Sequence, residues 1–423
     1  MTLQLTDDQQ ALLAGASGPA VQLAMRLVTR MAAVTSAVSL LPITRAHVDG
    51  CLYHGQVSLD FARTLAEGGG VVRVPTTLNV GIIDLLHPEL FRGPREVAAA
   101  GRDMMRHYRA MGCRQTWTCA PYQLVDRPDP GEQVAWAESN AIVFCNSVLG
   151  ARTERYGDFM DIAAALTGWV PATGLHTDEG RRARVVVSVE GIPLAVQERD
   201  VFFATLGHFV GTNVAGMIPA IVGVPTATED QLKALGAAAA SAGAVAMFHV
   251  VGVTPEAPTL DAALGGRAPE RTVRFGARDM AEGMAALSST RSQRLGAVSV
   301  GTPHFSLTEF ERLHALFAGR PVSEAIAFYV STGREVLQAV ADRGWEAELR
   351  RLGVKIVTDT CTYLTPILAP QPGAVMTNSA KWAWYAPGNL GYEVVFGTLE
   401  ECVESAVRGD VWRDDALRAL IEA

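Results

Sequence analysis

The chain has 423 residues, 49% apolar and 19% charged, enough to bury a large core divided into two or three packing units. Its formal net charge is −8, with Lys and Arg scattered rather than gathered into runs, which argues against a nucleic-acid surface and means that any anionic ligand must meet a locally basic pocket. No basic region followed by an apolar stretch and a small-residue cleavage site opens the chain, so a cytoplasmic location is expected, and six cysteines without framework spacing or a CxxC pair point to reduced thiols.

In chain order, residues 6–40 carry helical spacing, with Arg26 and Arg30 on the face away from most apolar residues, as in a surface helix. An amphipathic helix over 58–67 ends at Gly68, Gly69 and Gly70 and leads into a buried strand beginning near Val71. These glycines follow a helix instead of preceding one, so they cap it and do not form a phosphate loop. Helix, turn and apolar strand recur over 95–119, 135–150 and 322–361. Such alternation predicts several α/β domains with mostly parallel sheets, with function at the strand ends. Residues 235–253 lack charge over nearly a membrane-spanning length, but they are rich in Ala and Gly. Gly243 divides them into an Ala helix and a strand in which His249 is a packed residue, so no membrane span is expected. Composition shifts place breaks near Arg199 and Gly301, giving regions 1–198, 199–300 and 301–423.

The cysteines then sort by position. Cys145 closes the apolar run "AIVF", Cys361 closes "VKIVTDT", and Cys119 follows "RQTWT". All three read as strand ends followed by polar or proline-bearing loops, where they can converge on one crevice. Cys51, Cys113 and Cys402 read as structural. Three thiolates suit iron–sulfur ligation and leave one iron open as a Lewis acid. Asn146, Ser147 and Arg152 beside Cys145 offer hydrogen bonds to a carboxylate.

Seven segments give the chain a family likeness: "HVDGCLYHG" (47–55), "VPTTLNV" (74–80), "TWTCAPYQ" (116–123), "ESNAIVFCNSVLGARTERYGD" (138–158), "GTPHFSLTEF" (301–310), "VTDTCTYL" (357–364) and "TNSAKWAWYAPG" (377–388). With them it resembles the aconitase X family, large-subunit type, over essentially its whole length. The resemblance implies an aconitase-like arrangement of α/β domains around a central crevice and a dehydratase (hydro-lyase) activity. It also implies an iron centre on Cys119, Cys145 and Cys361: a two-iron (2Fe–2S) or four-iron (4Fe–4S) cluster, or a single iron. The family's reactions are dehydration of cis-3-hydroxy-L-proline to Δ1-pyrroline-2-carboxylate and dehydration of a phosphorylated mevalonate. The Ala- and Arg-rich composition favours the first. The chain ends at Ala423 without room for the small swivelling domain of some relatives, so a separate small subunit is expected as partner, and the principal base is expected on it.

The remaining candidates each have two readings. His54 and His304 are candidate catalytic groups, with His47 and Asp49 one layer behind the substrate contacts, against ordinary loop hydrogen bonding. Thr76, Thr77 and Asn79 donate to substrate or cap a strand end. Ser306, with Glu309 three residues on, reads as a helix capping box. Lys381, among tryptophans, either meets the substrate carboxylate or packs its stem on aromatic surface. A non-enzymatic iron–sulfur redox sensor would need a fourth ligand such as Cys51 or Cys113, and an RNA-binding role would need a basic face that the charge balance denies. A rehydrating isomerase is separable by product analysis.

Overall fold

The structure, a computed structural model, describes residues 3–214 and 216–422. The chain forms two compact units: Met1–Ile83 with Pro94–Arg182, and Asp84–Gly93 with Ala183–Ala423.

In the N-terminal unit, Thr6 and Gln9 form a capping box that starts helix Asp7–Ala14. Helix Pro19–Val34 buries Ala20, Val21, Ala24, Met25, Val28 and Ala32 on one stripe and leaves Arg26 and Arg30 exposed, as expected. Helix Gln56–Glu67 ends at the glycines, whose N–H groups bond Thr64 O and Leu65 O, so they cap it. The strands are β1 (Leu40–Pro42), β2 (Ala46–Val48), β3 (Thr76–Leu78), β4 (Ala135–Trp136) and β5 (Trp169–Pro171). β3, β2 and β4 form a parallel sheet with β2 central, pairing Val48 with Leu78 and His47 with Trp136, while β1 and β5 form an antiparallel pair.

Three expectations are corrected here. The strand expected from Val71 begins only at Thr76: Val72 and Arg73 donate to Met111 O and Ala165 O, and Pro75 has no N–H to offer a ladder. The run before Cys145 is not a strand but helix Ser139–Phe144, continued by a π-turn Cys145–Leu149. Glu138 starts it by accepting from the N–H groups of Asn140 and Ala141, at 3.0 and 2.9 Å. All of 140–145 is buried, so the run carries no periodicity to tell helix from strand. Cys119 likewise lies in a loop and not at a strand end; only Arg114 makes a bridge, to Thr77.

The C-terminal unit holds two parallel sheets. β6 (Val185–Val189), β7 (Pro219–Val222), β8 (His249–Val250) and β9 (Arg271–Phe275) run in the order β8-β7-β6-β9. β10 (Leu295–Phe305), β11 (Ala327–Thr332), β12 (Val354–Val357), β13 (Ala374–Thr377) and β14 (Val394–Phe396) run β12-β11-β10-β13-β14. Val298, Val300, Phe328, Val330, Ile356 and Met376 pack the larger sheet against Phe310, Leu313, Phe317 and Val340. Helix Glu229–Gly243 forms as expected, but the strand after it has two residues, because the chain turns at Gly252, whose φ is 81°. Among the described residues no single helix is long and apolar enough to cross a membrane.

Helix Asp200–Asn213 crosses Glu229–Gly243 backbone to backbone: a Cβ on Gly207 would lie 2.2 Å from Leu235 O, and one on Gly243 1.8 Å from Gly211 O. Gly207→Ala is expected to lower unfolding free energy by about 1–3 kcal/mol through overpacking. The control Gly388→Ala, with no atom within 4 Å of its new Cβ, leaves it unchanged or raised. Equal urea midpoints for both variants and the wild type would refute the close crossing.

Candidate functional site

In the N-terminal unit the polar chemistry begins where the three parallel strands end. His47, fully buried on β2, shares a 2.8 Å hydrogen bond between Nδ1 and Thr77 Oγ1 and lies 6.0 Å from the Trp136 ring. Thr76 donates to Val74 O at 2.8 Å. The Asn79 amide donates to Asp49, and Asp49 N and Gly50 N both donate to Asp161 Oδ2, at 2.7 and 3.0 Å. Burial, then the charges of Glu138 and Asp158, push Asp49 up to about 8. Burial also lifts Asp161, to about 6, against the pull of its backbone donors. His54 is exposed, its Nε2 3.6 Å from Asp158 Oδ2.

From Glu138 the network continues to the candidate ligands. Asn140 donates to Cys119 O at 2.9 Å and accepts from Tyr122 OH at 2.5 Å. Tyr122 stacks on Phe144, ring centroids 3.8 Å apart, and Cys145 packs with both. Burial pushes the Cys145 thiol up, and Arg181 opposes this. Asn146 spends its amide on Thr153 O and N and on Arg181, at 2.9, 3.0 and 2.9 Å, which places it as a brace of the turn. Ser147 is buried beside it, and Arg152 pairs with Asp178 at 2.5 Å. Cys51 and Cys113 are buried thiols whose protonated form burial favours.

In the C-terminal unit, Cys361 is buried just beyond β12 and His304 lies fully buried on β10. His304 Nε2 is 3.2 Å from Thr360 O and 3.9 Å from Cys361 Sγ, so this histidine belongs with the thiol as a possible ligand as much as with catalysis. The connecting loop is fixed at three points: Thr358 donates through N and Oγ1 to Asp84, at 2.8 and 2.9 Å, Arg334 grips Asp359 through both oxygens at 2.7 and 2.6 Å, and Leu85 N donates to Asp359 at 3.1 Å. Ser306 caps helix Leu307–Phe317 in a capping box with Glu309. Its hydroxyl also donates to Asp230 at 2.8 Å, and buried Lys233 bonds both Asp230 and Glu309, anchoring the turn that follows β10, two residues beyond His304. Lys381, 2% exposed, sits 5.8 Å above the Tyr363 ring, and with Lys233, Glu309 and Asn378 it lines a cavity of about 40 Å³.

The sequence reading overlooked Glu138, Asn140, Asp161, Lys233 and Arg181, charged or amide groups held inside the fold, and the half-buried Asp158. The apolar neighbours of Lys233 in "QLKALGAAAA" were the available signal, since a lysine on a buried helix face needs a carboxylate partner.

The chain matches the first, third and second domains of aconitase X over residues 2–179, 295–408 and 183–285. It is 46% identical over 404 residues to the cis-3-hydroxy-L-proline dehydratase of Pseudomonas aeruginosa, covering 95% of this chain and 69% of that one. The chain belongs to the aconitase X family. A second relative, the phosphomevalonate dehydratase large subunit of Methanosarcina mazei, is 32% identical over 410 residues, covering 96% of this chain and 98% of the relative. The crystal structure of Thermococcus kodakaraensis aconitase X in its holo-form superposes with a TM-score of 0.86 at 31% identity, over 96% of this chain and 100% of that one. The aconitase X fold, of several α/β layers with mostly parallel sheets, is thus the fold of this chain.

Three histidines bear on acid stability. Burial holds His47 and His176 down to about 3, and burial holds His304 down to about 4. Unfolded histidines take up protons near 6.5, so each costs up to about 1.4 kcal/mol per pH unit as pH falls below that value. Asp49 and Asp161, whose pKa values are raised, slope the opposite way, so a difference isolates one histidine. His176 contacts Tyr156 OH at 2.5 Å and Gln133 at 2.6 Å. His176→Asn is expected to lose less stability than the wild type between pH 6.5 and 5, measured by denaturant unfolding. Parallel curves would contradict it.

Proposed function

We propose that the chain is the large, catalytic subunit of an iron-dependent hydro-lyase that converts cis-3-hydroxy-L-proline to Δ1-pyrroline-2-carboxylate. The grading of the relatives supports the substrate. Cis-3-hydroxy-L-proline dehydratases of P. aeruginosa and Hypocrea jecorina are 46% and 41% identical, against 32% for the phosphomevalonate dehydratase large subunits of M. mazei and Thermococcus kodakarensis. The 98% coverage of the M. mazei large subunit supports a separate small subunit as partner.

The donor set fits iron. Cys119, Cys145 and Cys361 are 3%, 0% and 1% exposed, and soft thiolates select iron or an iron–sulfur cluster. The burial that keeps Cys145 protonated as a free thiol is offset on ligation, because a coordinating thiol gives up its proton. We assign the three thiols to one centre, a two- or four-iron cluster or a single iron, with His304 beside Cys361 as a supporting donor. When bound, iron supplies a Lewis acid for the substrate's carboxylate and hydroxyl oxygens.

The chain's own residues do the rest. Lys381, a buried cation, holds the substrate carboxylate and offsets the charge that gathers as the C2 proton leaves. Thr76, Thr77 and Asn79 orient the ring, and His47 fixes Thr77 through their hydrogen bond. The base that takes the C2 proton comes from the small subunit, with His54 at the exposed rim. The C2–H and C3–O bonds break, water leaves, and the enamine tautomerises to the cyclic imine.

Enzyme prepared anaerobically with its small subunit is expected to release Δ1-pyrroline-2-carboxylate from cis-3-hydroxy-L-proline and to leave 5-phosphomevalonate unchanged. Lys381→Met is expected to lower kcat/KM on the order of a hundred-fold, as for loss of a charge-assisted contact to a carboxylate. Iron present without turnover of either compound would favour an iron–sulfur redox role. Turnover of phosphomevalonate alone would favour the second dehydratase activity.

A further inference from the structure

We propose that Asp49 and Asn79 form the seat of the substrate's ring ammonium, accepting its two N–H groups at the carboxyl ends of β2 and β3. The proposal rests on the reading of the substrate as an imino acid.

The placement follows from the sheet. β3, β2 and β4 are adjacent and parallel, so the residues just beyond them, Asn79, Asp49 and Glu138, come to one edge, where α/β folds bind ligands. Asp49 is partly open to solvent. Its carboxylate takes the Asn79 amide N–H, yet Asn79 Oδ1 has no hydrogen-bond partner although the residue is only 2% exposed. A buried acceptor left unpaired costs about 1–3 kcal/mol and calls for a donor.

The charge around it calls for a cation. Asp49 feels Glu138, Asp158 and Asp161, and among the described residues it makes no ion pair with Lys or Arg. The titratable groups nearby include Cys51, which feels Asp49, Asp161 and Asp158, Tyr108, which feels Asp161 and Asp158, Cys113, which feels Asp161, and His54 beside Asp158. Asp161 does not offer a metal site, because it is spent on the N–H groups of Asp49, Gly50 and Ile162, at 2.7, 3.0 and 2.6 Å. A free carboxylate oxygen and one amide oxygen match a secondary ammonium with two N–H groups better than a divalent ion that takes six or more oxygens. With Asp49 held up to about 8, a cation binding below that pH must expel a proton.

Calorimetry on the iron-loaded enzyme with its small subunit tests this, using L-proline as a probe that lacks the leaving hydroxyl and tetrahydrofuran-2-carboxylate as one that lacks the ammonium. L-proline is expected to bind with proton release at pH 7, seen by changing the buffer, and Asp49→Asn, which keeps the shape and the acceptor for Asn79, is expected to weaken it about ten- to a hundred-fold. Asn79→Ala is expected to weaken it about ten-fold, and the tetrahydrofuran acid to bind all three proteins alike. Unchanged L-proline affinity in a folded Asp49→Asn, or equal losses for both probes, would overturn the seat. The functional reading fails separately: a wild type that binds L-proline through Asp49 but dehydrates no hydroxyproline would remove the reaction and keep the seat.

Discussion

A parallel sheet sends all its strands' carboxyl ends to one edge, and the chemistry of this chain depends on that constraint. Side chains just past a strand end are held by a buried ladder on one side and open on the other. In the N-terminal unit this brings Asp49, Asn79 and Glu138 together; in the C-terminal unit it sets Cys361 beyond β12, against His304 of β10. Neither set forms a continuous motif.

Burial then decides how these groups behave. Inside the fold a carboxylate, thiol or imidazole keeps its charged form only if something pays for it. Asp359 is gripped by Arg334, and Lys233 is held between Asp230 and Glu309. Asp49, with Glu138, Asp158 and Asp161 nearby, takes the Asn79 amide but makes no ion pair with Lys or Arg among the described residues, and Cys145 lies in an apolar cluster with Tyr122, Trp136 and Phe144. The satisfied pairs brace loops, while the unsatisfied groups are the ones a ligand or metal would complete.

Much of this was legible in the sequence and some was not, for physical reasons. The alternation of helix and strand announced parallel α/β layers, and the run "VKIV" placed Cys361 beyond a strand because its β-branched residues fit one extended register. The run before Cys145 misled, because a segment buried on every side has no period, and the decisive residue was Glu138, whose carboxylate caps the helix. The Thr76 start of β3 was hidden behind an apolar stretch that Pro75 cannot join to a ladder. Asp49 and Asn79 were legible as separate candidates, but their pairing was not: they lie 30 residues apart, and only the strand pairing brings them together.

The central claim is that Cys119, Cys145 and Cys361 serve one iron centre. The most direct measurement is iron and acid-labile sulfide per chain after anaerobic purification, for the wild type and for each Cys→Ser variant at these three positions, with Cys402→Ser as a control. The account predicts bound iron in the wild type and the control, and its loss or sharp reduction in every one of the three variants while each stays folded. Iron retained in full by a folded Cys145→Ser, or no iron in the wild type, would contradict it.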